Sequence, residues 1–407
     1  MSGNNERLNE ALVELIWDEN ASSSVRLKKA QYLIALGADV NTRLYGKSAL
    51  FWAKALGDEE LIKYLNEKGA KEFEISKEEA DKLSQGFWDE NGEIRSLAEI
   101  KNLVRLGADL GGKNEYKIIW SYLSLEEMNE ILKILPKGYE IGGNVILRRG
   151  LKKLPDFSKV KVKGDFDCSY IQLITLKGAP QKVGGNFKCH DNQLTTLEGA
   201  PKEIKGDFDC SFNRLTTLKG GPSTVGGDFK CSCNELINLE GAPKEVGGSF
   251  DCSENRIISL KGAPQKVVGD FDCSDNRLTT LKGAPQEVSG KFDCFCNQLT
   301  TLKGAPQKIG GNFKCYNNQL TTLKGAPQEV KGDFDCSKNQ LTTLEGKPEK
   351  IKGVFYIESD VLKKLEEKGK NAEIGGEFVI EEEVLAKFKK IAGLSGIFKS
   401  IFSKDGR

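Results

Sequence analysis

The sequence predicts a repeat solenoid in two parts: all-α helix pairs first, then a parallel β solenoid ending in a C-terminal capping helix. Two observations carry this. Phe166, Phe187, Phe208, Phe229, Phe250, Phe271, Phe292, Phe313 and Phe334 stand 21 residues apart, with a cysteine two residues after each, from Cys168 to Cys336. The first third repeats on a longer period: IWDEN (16–20) returns as FWDEN (87–91), and LGADV (36–40) returns as LGADL (106–110). Such self-similarity marks stacked supersecondary units, none of which buries its apolar face alone.

Residues 1–135 are expected to form the helical part, with Trp52 and Trp120 as counterparts in the two copies. Leu36-Gly37-Ala38-Asp39-Val40-Asn41 and Lys47-Ser48-Ala49-Leu50-Phe51-Trp52-Ala53 resemble the ankyrin repeat, whose helix pairs end in a G-A-D-x-N turn and begin with T-P-L-H-x-A. Ser48 and Ala49 stand for Thr-Pro, and Phe51 stands for His. The resemblance implies two helix hairpins in each duplicated unit.

Residues 136–380 are expected to form the solenoid, on the consensus G-x-F-x-C-x-x-N-x-L-x-x-L-x-G-x-P-x-x-V-x. Within F-x-C, apolar and polar positions alternate as in a short strand with one face inward. Stacking the coils sets these strands side by side in a parallel sheet, while Gly and Pro mark corners. Each asparagine falls where the strand bends, and its amide there satisfies backbone groups that the curve leaves unpaired.

This unit resembles the leucine-rich repeat, most closely the short bacterial type reading roughly L-x-V-S-x-N-x-L-T-x-L-P-x-L-P. Phe208, Cys210, Ser211, Asn213, Leu215, Thr216, Leu218 and Pro222 occupy the corresponding places, and the likeness spans residues 142–357. It is similar to the repeat arrays of secreted bacterial effector scaffolds, with Cys in place of Val or Leu on the strand and Gly-Ala-Pro in place of Pro-x-Leu-Pro. Val145 with Leu147 and Phe355 with Ile357 continue the pattern in degraded form, and Phe378 with Ile380 repeat it after a longer unit. Drift at the ends is what capping requires.

Sixty basic residues against 59 acidic ones give no bulk reason to expect a nucleic-acid partner. No signal-like segment opens the chain, and nowhere do eighteen apolar residues run together. A cytoplasmic protein is expected, with secretion by a route lacking a cleavable signal left open. Eleven cysteines then read as reduced thiols.

An in-register ladder sets equivalent residues about 4.8 Å apart and pointing the same way. Disulfides need closer, inclined Cβ atoms, and zinc needs ligands converging from several directions. Packing meets neither obstacle, so the nine ladder cysteines are expected to be buried, without a metal or other cofactor. Cys233 and Cys296 lie two residues past ladder positions and are the candidates for any reactive thiol.

His190 is the sole histidine, which leaves little room for histidine-based nucleophilic catalysis. Cys189-His190-Asp191 resembles the C-x-D motif of bacterial effector ubiquitin ligases, but that motif belongs to a large helical domain, and 50 residues follow Ile357 here. The chain is therefore expected not to be an enzyme.

Leucine-rich repeat proteins commonly bind partners on the outward strand face, and here that face is acidic. Before each Phe lie Asp165, Asn186, Asp207, Asp228, Ser249, Asp270, Lys291, Asn312 and Asp333; between Phe and Cys lie Asp167, Lys188, Asp209, Lys230, Asp251, Asp272, Asp293, Lys314 and Asp335. Eleven carboxylates against four lysines leave a net of minus seven. Exposed aromatics in a polar field are typical anchors, and Phe295 and Tyr316 stand on consecutive coils. The expected partner is a protein or basic peptide, held by Asp209, Asp251, Asp272, Asp293, Phe295, Tyr316 and Lys314. Two other readings stand beside it: alternating Asp and Lys forming surface ion pairs, and paired carboxylates of Asp-Phe-Asp holding Ca²⁺.

Residues 381–407 form a third segment, read as an amphipathic helix. Val384, Phe388, Ile391, Phe398 and Phe402 could share a face, and five lysines without an acid lie between 387 and 404. Such a helix either covers the open end of the solenoid or lies at a membrane surface. The second case defines the alternative function, a membrane-associated protein.

Overall fold

The computed structural model describes residues 2–16, 21–44, 47–72, 82–83, 85–88, 94–106, 108–111, 119–148 and 150–358. The amphipathic segment over 381–407 and the strand at Phe378 and Ile380 lie outside the described residues. Two compact units are present, one of residues 1–148, 154–167 and 178–181, the other of 149–153, 168–177 and 182 onward.

The first unit contains helices α1 (Ser2–Ile16), α2 (Ser23–Ala35), α3 (Ala49–Ala55), α4 (Glu59–Glu67), α5 (Leu97–Arg105) and α6 (Leu125–Ile134). Side-chain oxygens of Ser22, Ser48, Asp58, Ser96 and Ser124 accept amide hydrogen bonds at the starts of α2 to α6. Those amides have no partner inside the helix, so each cap fixes where its helix begins. Helices α1 and α2 pack together, as do α3 and α4, around Leu12, Ile16, Ala30, Leu50, Leu61 and Leu65. Ile16 and Phe87, equivalent positions of the two copies, are both buried.

The G-A-D-x-N turn has a visible purpose. Asn41 Nδ2 donates to the Gly69 carbonyl, and its Oδ1 accepts the Lys71 amide at 2.7 Å. Burial pushes the Asp58 carboxyl up, yet hydrogen bonds from Ser23, Arg26 and the Leu61 amide outweigh it and hold the group below its ordinary value.

The same unit includes the first strands of solenoid type, in which Val145 pairs with Phe166 and Ile141 with Val162, both parallel. Trp120 packs edge-on against Phe157 at 4.9 Å, and Phe157 against Phe166 at 5.1 Å. Trp120 and Phe157 are fully buried, so the helical and coiled parts of this unit share one core.

The second unit is a parallel solenoid. Nine two-residue strands, from Phe187–Lys188 to Phe355–Tyr356, belong to one eleven-stranded sheet; nine more, from Lys182–Val183 to Lys350–Ile351, belong to another. Register is strict on the first, where Phe208 pairs with Phe187 and Phe229, and Phe271 with Phe250 and Phe292. The Phe rings stack along the interior with centroids 5.2 to 5.6 Å apart between Phe229 and Phe334. Burying each contributes roughly 2–3 kcal/mol.

Asparagine closes each coil. Asn276 Nδ2 donates to the carbonyls of Cys252, Cys273 and Ser274, and its Oδ1 accepts the Ile257 amide at 2.9 Å. One amide thus satisfies four buried backbone groups on two coils, as the sequence implies for this column. Close approach of coils also sets the glycines: a Cβ on Gly241, at φ 101°, would stand 2.4 Å from the Leu218 backbone.

Candidate partner-binding face

The ladder cysteines point inward. Cys168, Cys189, Cys210, Cys231, Cys252, Cys273, Cys294, Cys315 and Cys336 are all buried. Burial pushes the thiols of Cys210, Cys231, Cys252, Cys273, Cys294, Cys315 and Cys336 well above their ordinary value. A thiol held protonated is neither nucleophile nor metal ligand. Cys233 is half-buried, and burial, then a hydrogen bond with Glu254, pushes it up to about 11. Cys296 Sγ accepts a hydrogen bond from Asn317 Nδ2 at 3.0 Å. Among the described residues, no group of three or more His, Cys, Asp or Glu is placed to hold a metal ion. His190 Nδ1 lies 2.8 Å from Asp191 Oδ2, and its ring meets Tyr170 edge-on at 5.1 Å.

The outer columns divide into carboxylates that serve the coil and carboxylates that do not. The position before Phe carries a ladder: Asn186, Asp207, Asp228, Ser249, Asp270, Asn312 and Asp333 each lend a side-chain oxygen to the amide 21 residues on, at 2.7 to 3.1 Å. Asp, Asn and Ser share a short side chain that carries an oxygen acceptor, which is the property the position selects. Sequence reasoning counted these aspartates as charge and missed the ladder. Lys291 has no acceptor to offer and interrupts it.

The position between Phe and Cys is capped locally. Asp209 Oδ1 accepts the Ser211 amide, while Asp251, Asp272 and Asp335 accept both amide and hydroxyl of Ser253, Ser274 and Ser337. Asp251, Asp272, Asp293 and Lys314 occupy consecutive rungs. Asp209 stands apart, with Lys230 between it and Asp251. Two lysines of this column stand at long range from carboxylates: Lys230 Nζ lies 3.6 Å from Asp228 in the neighbouring column, and Lys314 Nζ 3.7 Å from Asp293.

At Asp293 the residue two places on is Phe295, and Asp293 Oδ1 is buried with no hydrogen-bond donor. Phe295 and Tyr316 are half-buried and stack in parallel, 5° between planes and 4.6 Å between centroids. The structure therefore brings together Asp251, Asp272, Asp293, Lys314, Phe295 and Tyr316. Burial, then the charges of Asp251 and Asp293, raise the Asp272 carboxyl to about 6, against the bonds from Ser274. Burial raises Asp293 as well, against Lys314 and Lys291.

In the second unit the exposed aromatics Tyr170 and Phe212, at 49% and 56% exposure, went unnoticed in the sequence. Both take a left-handed backbone, φ 60° and 54°, at the position two after the ladder cysteine; Cys233 and Cys296 sit there too, at 53° and 50°.

Short parallel strands in strict register, an inward leucine pair and a buried asparagine column define the second unit as a solenoid of leucine-rich-repeat type. No family model matches the chain, and no curated protein matches it. Among solved structures, YopM from Yersinia enterocolitica WA-314 is similar at 15% identity and a TM-score of 0.27, covering 70% of this chain and 73% of that one. Among the described residues, no helix is long and apolar enough to cross a membrane.

Proposed function

We propose that the chain is a non-catalytic interaction scaffold that recruits a basic protein or peptide segment on the outer strand face of its solenoid, with ankyrin-like helix pairs as its N-terminal part. The observation that carries this is the run Asp251–Asp272–Asp293, three carboxylates on adjacent rungs beside the Phe295–Tyr316 stack. Three like charges about 4.8 Å apart repel one another, and nothing in the coil requires acid at all three places, since Lys188, Lys230 and Lys314 hold the same position elsewhere. Charge complementarity of this kind steers encounter and selects partners.

Pull-down with the full chain tests it. Reversing Asp251, Asp272 and Asp293 to Lys, a residue the position already tolerates, should abolish capture of a basic partner. Unchanged capture would reject this face.

A further inference from the structure

Four strand aspartates are occupied by the residue two places on, through Ser211, Ser253, Ser274 and Ser337. Serine follows the ladder cysteine in six coils, and the substitution of Phe295 removes the hydroxyl that would have reached Asp293. Asp293 Oδ1 is left without a donor among the described residues, and Oδ2 lies 3.7 Å from Lys314 Nζ. Beside it, Phe295 and Tyr316 present two parallel rings. An acceptor short of donors next to a π face is the complement of one group in particular. Guanidinium is planar, forms two parallel hydrogen bonds to a carboxylate and stacks on aromatic rings. An ammonium cannot form the paired bonds.

We propose that Asp293, Phe295 and Tyr316 form a subsite for a single arginine side chain of the protein partner. The proposal rests on the acidic-face reading and adds residue specificity to it. Paired bonding requires the terminal torsion of Asp293, a soft degree of freedom in aspartate, to turn until both oxygens face the guanidinium. The entering guanidinium replaces the long contact from Lys314, and Lys291 and Lys314 at the flanks oppose a second cation there. Asp251 and Asp272 remain for the neighbouring basic residues of the partner.

The test uses the full chain and two labelled decapeptides, one with four arginines spaced by Gly-Ser, the other with lysine at the same places, read by fluorescence anisotropy. The arginine peptide is expected to bind about tenfold tighter. Phe295→Ser, which restores the serine used by other coils, should bring it to within about twofold of the lysine peptide and leave the latter unchanged. Tyr316→Ser provides a second variant with the same expectation. Equal affinities in the unmodified protein, or an arginine preference that survives both substitutions, would overturn the subsite. Asp251→Lys with Asp272→Lys should weaken both peptides alike. If both peptides bind equally and that double reversal weakens them, the face stands and the subsite falls; if neither peptide binds, both fall.

Discussion

The coil of Asp251 and the coil of Asp293 place the same residue on the same strand position and differ two residues later, Ser253 against Phe295. In the first, the carboxylate accepts an amide at 3.0 Å and a hydroxyl at 2.7 Å; in the second, Oδ1 accepts nothing. Asp251 commits one oxygen, Oδ1, to its own coil and keeps its charge for a partner, whereas Asp293 makes neither bond of that cap. Net charge along a solenoid column is thus a poor count of the groups available to a partner, and a broken local cap is the better marker.

Both coils share one interior, which Phe271 joins at 5.6 Å from Phe250 and 5.2 Å from Phe292. Phe271→Ala should destabilise the protein by about 3–5 kcal/mol, because the ladders on either side hold the cavity open. Urea denaturation measures it. A loss below about 1 kcal/mol would mean that the coils collapse independently and that their outer faces need not stay in register.

The next effect lies between the two coils. Asp272 has its folded value raised from 3.8 to about 6, so the folded state holds that proton more tightly than the unfolded chain does. Its contribution to stability is present at acid pH and is lost as pH rises from 3.8 through about 6. Asp272→Asn keeps an acceptor for Ser274 and removes the charge. It should raise stability at pH 7.5 by an amount on the order of 2 kcal/mol, with little difference at pH 4. Equal differences at both pH values would show that burial, with the charges of Asp251 and Asp293 behind it, does not hold the Asp272 carboxyl above its ordinary value.

Phe295→Ser gives the coil of Asp293 the cap that Asp251 has. The regained bonds to a charged acceptor contribute roughly 1.5–3 kcal/mol, and the lost stack with Tyr316 offsets about 0.5–1.5 kcal/mol. A net gain near 1 kcal/mol is expected, visible as a rise in Tm. A fall would assign Phe295 to packing rather than to a partner.

The sequence made the coil legible because its inner columns repeat by residue type: Phe, Cys, Asn and Leu each recur where one geometry demands them. The candidate face was legible in part. Phe295 and Tyr316 stood out as departures from serine, and Asp251, Asp272 and Asp293 as an unbroken run. The oxygen ladder before Phe was written in the same column, since Asp207, Ser249 and Asn312 have little in common except an oxygen acceptor on a short side chain, but charge counting concealed it. Burial of Asp293 Oδ1 is a matter of side-chain packing, and no spacing rule encodes that.

Least legible was the left-handed residue of each coil, and it gives the smallest expected effect. Asp191, Phe212, Cys233, Glu254, Asp275, Cys296, Asn317 and Lys338 all adopt φ between 50° and 55°, yet no glycine marks the place. Side chains there incur about 1–2 kcal/mol of strain, which the asparagine that follows holds in place through its bonds to both coils. Glu254→Gly relieves the strain and loses part of the gain to the greater freedom of the unfolded chain. A net stabilisation of about 0.5 kcal/mol is expected, and less for Asn317→Gly, because asparagine already tolerates this conformation. The order of the two substitutions in urea midpoint is the test. Were Asn317→Gly the more stabilising, backbone strain would not be what these positions share.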